Sequence, residues 1–256
     1  ALATARRSAL DGRVLVVSSP DLATGRLVPP EQIASARALG IELTPDAPTG
    51  DMQTFALADG GSLIVALMPP HPATGDMPTG PTSVTPDEVA GCRAHLIVTA
   101  QGLTGDERAR DTRMAALTAA VIDHVPAVGA MLGHGVVFHK AALFADMAKL
   151  GVEQGALPSE IAVDITAARE SETRMSFLSH GMVRYGREEF YVTCPIQGKG
   201  ALDFMFGMVR WLYTDPTKHL PTGDTVGRTA SEKIVVQRVP NPTGHGPAVI
   251  RLDLAR

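Results

Sequence analysis

Strand-like and helix-like segments alternate along the 256 residues of this chain, and this alternation restricts its fold more than any other feature. Short β-branched or apolar runs, such as residues 14–17 and 95–100, predict strands. Between such runs, apolar side chains recur at helical spacing, as at Met114, Leu117 and Val121. Because a sheet or a helix must bury its apolar face against another element, the pattern indicates helices packed on sheets.

The order of these elements from Val14 to Ala100 is β-α-β-β-α-β, and a looser copy that shares the strand 95–100 extends to about Thr166. This is the order of the ferredoxin-like motif, a sheet with both helices on one face. We therefore predict an α+β fold with antiparallel or mixed sheets, helices packed on one face and ferredoxin-like βαββαβ units. The order of elements alone suggests a duplication, since no residue-level repeat accompanies it.

The chain is predicted to have a tail and two units. Residues 1–12 are expected to form a flexible N-terminal tail, because Arg6-Arg7 is not followed by the apolar segment of an export signal. Residues 13–103 form a first α/β unit, and residues 104–256 form a second that packs with the first as one globule. Within the first unit, residues 69–86 contain six prolines, which lack the N–H that a strand needs, and predict a surface loop.

Local signals place the ends of several elements. Asp59-Gly60-Gly61 predicts the turn of a hairpin, because these residues readily take positive φ. Thr85 and Glu88 predict a capping box at the start of a short helix, and residues 104–107 repeat that signature. The other predicted elements are a helix from Pro30 to Gly40, a helix from 104–107 to Pro126, strands at 128–132 and 136–138, a helix at 140–150 followed by Gly151, and strands at 161–165, 190–194, 234–239 and 249–254.

Charge and cysteine content narrow the class of protein. The net charge of −4 and the lack of a Lys/Arg run argue against general attraction to nucleic acid or anionic lipid. No apolar run approaches the ~18 residues of a membrane span. Cys92 and Cys194 are too few and too far apart for a disulfide framework, which leaves free thiols or a single bridge. We expect a cytoplasmic protein that binds neither nucleic acid nor membrane.

Two glycine-rich segments invite a cofactor interpretation that their surroundings contradict. The residues Gly129, Gly133 and Gly135 fit the Gly-x-x-x-Gly-x-Gly pattern of short-chain dehydrogenases. In that pattern a helix begins directly after the glycines, and its N-terminus binds a pyrophosphate. Here a predicted strand follows, and the chain has no Tyr-x-x-x-Lys. Residues 223–229 depart from a phosphate loop, with three residues between glycines and then arginine. We expect no cofactor and interpret these glycines as turns.

The sequence shows no complete set of metal ligands and no complete set of catalytic residues. Zinc needs three or four ligands at about 2.0–2.3 Å, and no spacing forces the weak candidates together, so we predict no metal site. Ser179 and His180 are adjacent, whereas a base must meet its nucleophile through folding. Glu188 and Glu189 point to opposite faces of a predicted strand, one to the core or a cleft and one to solvent. The weak metal candidates are Cys92, His95, His134 and His139.

Four short motifs occur in a fixed order: residues 66–72 (ALMPPHP), 93–98 (RAHLIV), 181–189 (GMVRYGREE) and 223–227 (GDTVG). Together they resemble a bacterial domain-of-unknown-function family, number 4261 (DUF4261), over roughly residues 51–254. His71 departs from the family pattern, which has an apolar residue between the prolines. The resemblance implies no established activity, and its glycines fit structural turns. It marks the motif positions His95, Gly181, Gly186, Glu189, Asp224, Thr225 and Gly227, among which His95, Glu189 and Asp224 are the candidates for a catalytic or binding role.

The segment 201–213 predicts a helix that is apolar almost all round, and such a helix is either buried or docked on a partner. We favour a non-enzymatic binding or accessory protein that acts through protein–protein contacts. Its helix 201–213 would contact an unknown protein or a second copy in a homo-oligomer. The alternative is an enzyme or small-ligand-binding protein with a polar site around His95, Glu189 and Asp224.

Overall fold

The computed structural model describes residues 14–19, 43–45, 52–58, 60–71 and 77–254. These residues form two compact units, one ending at Ile161 and the other beginning at Ala162. Both units combine a sheet with helices, which confirms the predicted α+β class. The predicted tail 1–12 and the predicted helix from Pro30 to Gly40 lie outside the described residues.

The first unit is built on a mixed seven-stranded sheet with the order β2-β3-β4-β5-β1-β6-β7. Strand β1 lies between β5 and β6 and runs parallel to both, and the remaining neighbours are antiparallel. The strands are β1 Val14–Ser19, β2 Leu43–Pro45, β3 Met52–Leu57, β4 Ser62–Met68, β5 Ala94–Gln101, β6 Ala127–Leu132 and β7 His139–Lys140.

The described helices of this unit are α1 Pro86–Ala90, α2 Glu107–Ile122 and α3 Ala141–Gln154, and a short helix α4 Ser159–Ala162 leads into the second unit. Helix α1 begins with the predicted capping box: the Glu88 amide donates to Thr85 Oγ1 at 3.2 Å, and the Thr85 amide donates to Glu88 Oε2 at 2.8 Å. Helix α2 is capped by Asp106, whose carboxylate accepts from the Ala109 amide. The cap predicted from residues 104–107 is therefore two residues too early.

The core of the first unit lies between the sheet and the pair α2 and α3, which pack on each other. Helix α2 is buried on nearly every side, from Met114 to Ile122, because α3 covers what the sheet leaves open. A second apolar cluster joins Val84, Val89, Cys92 and Phe138 around α1. Burying a side chain of this size contributes about 1.5–3 kcal/mol, so both clusters hold the elements on the sheet.

The second unit has a five-stranded sheet with the order β13-β14-β10-β9-β8 and a separate two-stranded ribbon of β11 and β12. Strands β10 and β14 are parallel, and the other neighbours are antiparallel. A 3₁₀ helix, Met182–Tyr185, links β9 to β10, and helix α5, Ala201–Thr214, packs on β9, β10 and that 3₁₀ helix. The strands are β8 Asp164–Arg169, β9 Arg174–His180, β10 Phe190–Pro195, β11 Thr225–Val226, β12 Ile234–Val235, β13 Gln237–Val239 and β14 Val249–Asp253.

The ferredoxin-like units that we predicted are not confirmed. In the first unit, the central strands β5, β1 and β6 are parallel neighbours in one seven-stranded sheet, and the second unit has a different strand order. The boundary between units also lies later than the expected position after residue 103. Strand β6 pairs with β1, and α2 packs against β1, so residues 104–161 complete the first sheet.

Four other local predictions are wrong, one of which is the single strand over 234–239: it is divided into β12 and β13, which belong to different sheets. Residues 136–138 do not form a strand; the partner of β6 is His139–Lys140. Gly151 lies inside α3, which ends instead at Gly155 in the left-handed conformation, with φ 70°. Residues 161–162 belong to α4, and the strand begins only at Asp164. Within the described residues, no helix combines the length and the hydropathy that a bilayer span requires.

Candidate functional site

The 181–189 motif forms the turn between β9 and β10, and Glu189 holds that turn together. Gly181 and Gly186, with φ of 114° and 70°, bracket the 3₁₀ helix. The Glu189 side chain is 7% exposed and accepts three hydrogen bonds: from Ser179 Oγ at 2.6 Å, from the Gly181 amide at 2.8 Å and from the Val183 amide at 3.2 Å. Its carboxylate thus binds its own turn and the end of β9.

Glu188 is partly exposed whereas Glu189 is buried, the division that the sequence predicts, although both residues precede β10 and do not lie in a strand. The Glu188 side chain is 39% exposed and forms a two-pronged ion pair with Arg238 of β13, with Nε–Oε1 at 2.7 Å and Nη2–Oε2 at 2.6 Å. The same guanidinium also donates to Thr222 Oγ1 and to the Leu220 carbonyl. The hydrogen bonds to Glu188 and the charge of that carboxylate raise the pKa of Arg238, and burial opposes the shift. The pair therefore ties β13 to the start of β10.

A cleft of about 320 Å³ opens beside this ion pair, entirely within the second unit. Its lining combines polar, mostly basic residues with aliphatic ones. The polar residues are Arg187, Glu188, Lys218, His219 and Arg238; the apolar residues are Leu212, Leu220, Pro221 and Ile250, and Gly186 completes the lining. A concave site with a few convergent polar groups on an apolar wall is the usual form of a binding pocket.

Arg187 differs from the other basic residues of this cleft because it donates its hydrogen bonds to uncharged backbone carbonyls of the neighbouring loop. Its Nη1 donates to the Lys218 carbonyl at 3.1 Å, and its Nη2 donates to the Asp215 carbonyl at 2.8 Å. Lys218 itself lies 3.5 Å from Asp215 Oδ2 and 5.2 Å from the ring centre of Trp211. Hydrogen bonds from Thr217, with a smaller contribution from Lys218, lower the pKa of the Asp215 carboxyl.

Asp224 contributes to the site through its backbone. It lies exposed in a turn where its amide donates to the Pro221 carbonyl at 3.2 Å and its carbonyl accepts from the Val236 amide at 2.8 Å. The turn therefore fixes Pro221, part of the cleft wall, against the segment before β13. Gly227 of the same motif must stay glycine, because a Cβ there would lie 2.3 Å from the Glu232 carbonyl oxygen.

His95, the third candidate, belongs to the first unit. Its Nδ1 donates to the Pro69 carbonyl at 2.5 Å, and its ring meets His71 edge to face at 5.4 Å between centroids. Burial lowers the pKa of His95, and the nearby His71 lowers it further, whereas the hydrogen bond to Pro69 opposes the shift. A neutral ring held through Nδ1–H suits packing beneath the 69–71 segment. Of the three candidates, His95 therefore belongs to the first unit, whereas Glu189 and Asp224 belong to the second. Glu189 is buried and Asp224 is exposed.

The weak metal candidates have other partners. Cys92 Sγ donates to the Glu88 carbonyl at 3.3 Å, and His139 Nδ1 lies 2.8 Å from Thr82 Oγ1. In the part of the chain that the structure describes, no three His, Cys, Asp or Glu side chains form a group able to hold a metal ion. Gly129 of the dehydrogenase-like pattern lies within β6, where a Cβ would come within 3.1 Å of the His139 carbonyl oxygen. Close strand pairing explains that glycine.

Sequence reasoning missed the cationic residues of the cleft. Arg187 lies inside the 181–189 motif, between Gly186 and Glu188, and that position is a usable signal. Lys218 and His219 lie in an irregular segment without periodicity, and Arg238 reaches the cleft only through the pairing of β13 with β14.

The comparisons with protein-family models, with curated proteins and with solved structures found no match to this chain.

Proposed function

We propose that this chain is a non-enzymatic binding or accessory protein that acts through protein–protein contacts. The observation that carries the proposal is a row of three half-buried apolar side chains along α5, namely Phe204, Met208 and Trp211, which we call the 204–211 stripe. Their spacing of four and then three residues places them on one flank of the helix.

The stripe lies between the buried and the solvated faces of α5. The buried face, with Met205, Val209 and Leu212, packs on the sheet of the second unit. The outer face carries the exposed polar residues Asp203 and Arg210. Half-exposed aromatic and methionine side chains suit a contact surface, since methionine adapts its shape and aromatic side chains supply much of the binding energy in interfaces.

The rival function, an enzyme or small-ligand-binding protein with a site at His95, Glu189 and Asp224, has less support. Two of the hydrogen bonds that Glu189 accepts come from its own turn and the third comes from Ser179 of β9, which favours a structural role for this carboxylate. The resemblance to the 4261 family remains part of the proposal, because its 181–189 motif accounts for the same turn. Cys92 and Cys194 are both buried and form no disulfide, which supports placing the function in the reducing cytoplasm.

A photo-crosslinking experiment tests the contact surface. p-Benzoylphenylalanine is placed at Met208 and, as a matched control, at Arg210 on the outer face of the same helix, and the protein is expressed in the cells from which the sequence comes. We expect one defined protein to crosslink at position 208 and not at 210. That protein, once purified, should bind the wild type directly, and Met208→Asp should weaken binding roughly tenfold or more, whereas Arg210→Asp should not.

Two outcomes would contradict the proposal. One is a monomer by light scattering that yields no crosslinked protein at either position. The other is a purified partner that binds Met208→Asp as tightly as the wild type, provided that the variant retains its thermal transition. A crosslinked dimer of the chain itself would instead assign the stripe to self-association.

A further inference from the structure

Within the described part of the chain, one arginine of the cleft lining has no carboxylate partner. Glu188 is paired with Arg238, and Asp215 lies against Lys218. Arg187 is bound only through backbone carbonyls, and among the described residues it forms no ion pair. Among the described residues that line the cleft, Arg187 is thus the one arginine or lysine without a carboxylate partner, in a protein whose net charge is −4.

The hydrogen bonds of Arg187 also leave it able to bind. A guanidinium has five N–H donors in a rigid plane, and the two carbonyl contacts use two of them. These contacts hold the side chain in place, so less rotamer entropy is lost when an anion binds. Planar guanidinium groups match carboxylates through two parallel hydrogen bonds.

The aliphatic residues of the lining determine the rest of the ligand. They are Leu212, Leu220, Pro221 and Ile250. Its volume of about 320 Å³ is near the lower end of ligand pockets, so it suits a small ligand or one to two side chains. A single positive charge favours a monoanion over a doubly charged phosphate, and the aliphatic wall favours an apolar body attached to it.

We propose that this cleft binds a carboxylate carried on a short apolar body, with Arg187 as the residue that recognises the charge. The proposal does not depend on the 204–211 stripe. The carboxylate has two sources with the same chemistry: a free aliphatic acid, or the C-terminal carboxylate of a peptide that ends in an apolar residue.

Calorimetric titration with matched probes tests the charge and the apolar body separately. Hexanoate is compared with hexanamide, which has a similar shape and no charge, and with acetate, which has the charge and almost no apolar body. We expect saturable binding of hexanoate, with hexanamide and acetate each roughly tenfold or more weaker. Acetyl-Gly-Leu with a free C-terminus, compared with its amide, identifies a peptide source, which is indicated if it binds more tightly than hexanoate.

Variants connect the binding to the cleft. Arg187→Met should reduce hexanoate affinity roughly tenfold or more, Arg187→Lys should restore only part of it, and Lys233→Met, an exposed lysine of the second unit outside the cleft, should leave it unchanged. If Arg187→Met does not fold, the comparison of hexanoate with hexanamide on the wild type still decides whether the protein recognises the carboxylate charge. The proposal is overturned by no saturable binding of any probe, by equal affinity for hexanoate and hexanamide, by a folded Arg187→Met variant with wild-type affinity, or by inorganic phosphate competing at equal concentration.

Discussion

Replacing Glu189 with alanine should destabilise the second unit far more than the same change at its neighbour Glu188. The substitution Glu189→Ala leaves the Ser179 hydroxyl, which is fully buried, and the partly buried Gly181 amide without their acceptor. Each such loss costs about 1–3 kcal/mol. The Val183 amide belongs to an exposed residue and regains water, so it adds little. The expected total is about 3–5 kcal/mol in the free energy of unfolding.

Two milder variants provide the controls. Glu189→Gln keeps one oxygen for the Gly181 amide and disturbs only the bond with Ser179, so its cost should be about 1–2 kcal/mol. Glu188→Gln weakens a pair that is more than a third exposed, and exposed pairs contribute about 0–1 kcal/mol.

Urea unfolding followed by tryptophan fluorescence measures these changes within the second unit, because Trp211 in α5 is the only tryptophan of the chain. The midpoints should fall in the order wild type, Glu188→Gln, Glu189→Gln, Glu189→Ala, with similar slopes. The interpretation that Glu189 stabilises its turn is refuted if the free energy of unfolding of Glu189→Ala lies within about 0.5 kcal/mol of the wild-type value. It is equally refuted if Glu188→Gln is as unstable as Glu189→Ala.

Three further predictions use single substitutions and unfolding measurements. Ala at Gly186, where φ is +70°, should destabilise by about 1–2 kcal/mol, whereas Ala at Gly207 in the exposed face of α5 should stabilise by up to about 1 kcal/mol; equal signs would contradict the conformational argument. Burial lowers the pKa of His180, so the unfolded state binds the extra proton; stability should fall as pH drops below about 6.5, by at most about 1.4 kcal/mol per pH unit, and His180→Gln should flatten that profile. Thr85→Ala should cost about 1 kcal/mol through loss of the α1 cap, and Thr85→Ser should restore most of it, as thermal unfolding would show.

Features governed by neighbouring residues could be predicted from the sequence. The hairpin of β3 and β4 follows from Asp59-Gly60-Gly61, and Gly60 takes the positive φ of 90° that its turn needs. The capping box of α1 is present with both hydrogen bonds. Phe190, Val192 and Cys194 share the buried face of β10 as predicted. In each case the determining contacts span no more than a few residues.

Features fixed by distant contacts could not be predicted. The β-branched run 136–138 predicts a strand, yet Phe138 packs in the cluster around Val84, and its carbonyl accepts from the Val84 amide at 2.8 Å. The Lys140 amide likewise donates to the Thr82 carbonyl, which holds this stretch against the proline-rich segment. A partner more than fifty residues away leaves no local signal.

The cleft illustrates the same limit for a site. Its ion pair joins Glu188 to Arg238, fifty residues later, and Arg187 meets the backbone at Asp215 and Lys218 across an irregular loop. Side-chain periodicity predicts that Glu188 and Glu189 face opposite ways, but it contains no information on which loop returns to meet them. The candidates indicated by the motifs therefore include Glu189, which stabilises the turn, but not Arg187 and the other basic residues beside it.

The position of β1 has a consequence for biosynthesis. It is the earliest described strand of its sheet, yet its two neighbours follow much later: Val14 pairs with Ala94, 80 residues on, and with Ala127, 113 residues on. At roughly 5–20 residues per second, the ribosome needs about 4–16 s to deliver the first of these partners. Throughout that time the nascent chain carries an apolar, β-branched stretch with open backbone edges. We therefore expect residues 14–17 to be a stretch that a ribosome-bound chaperone shields until their partner strands are synthesised.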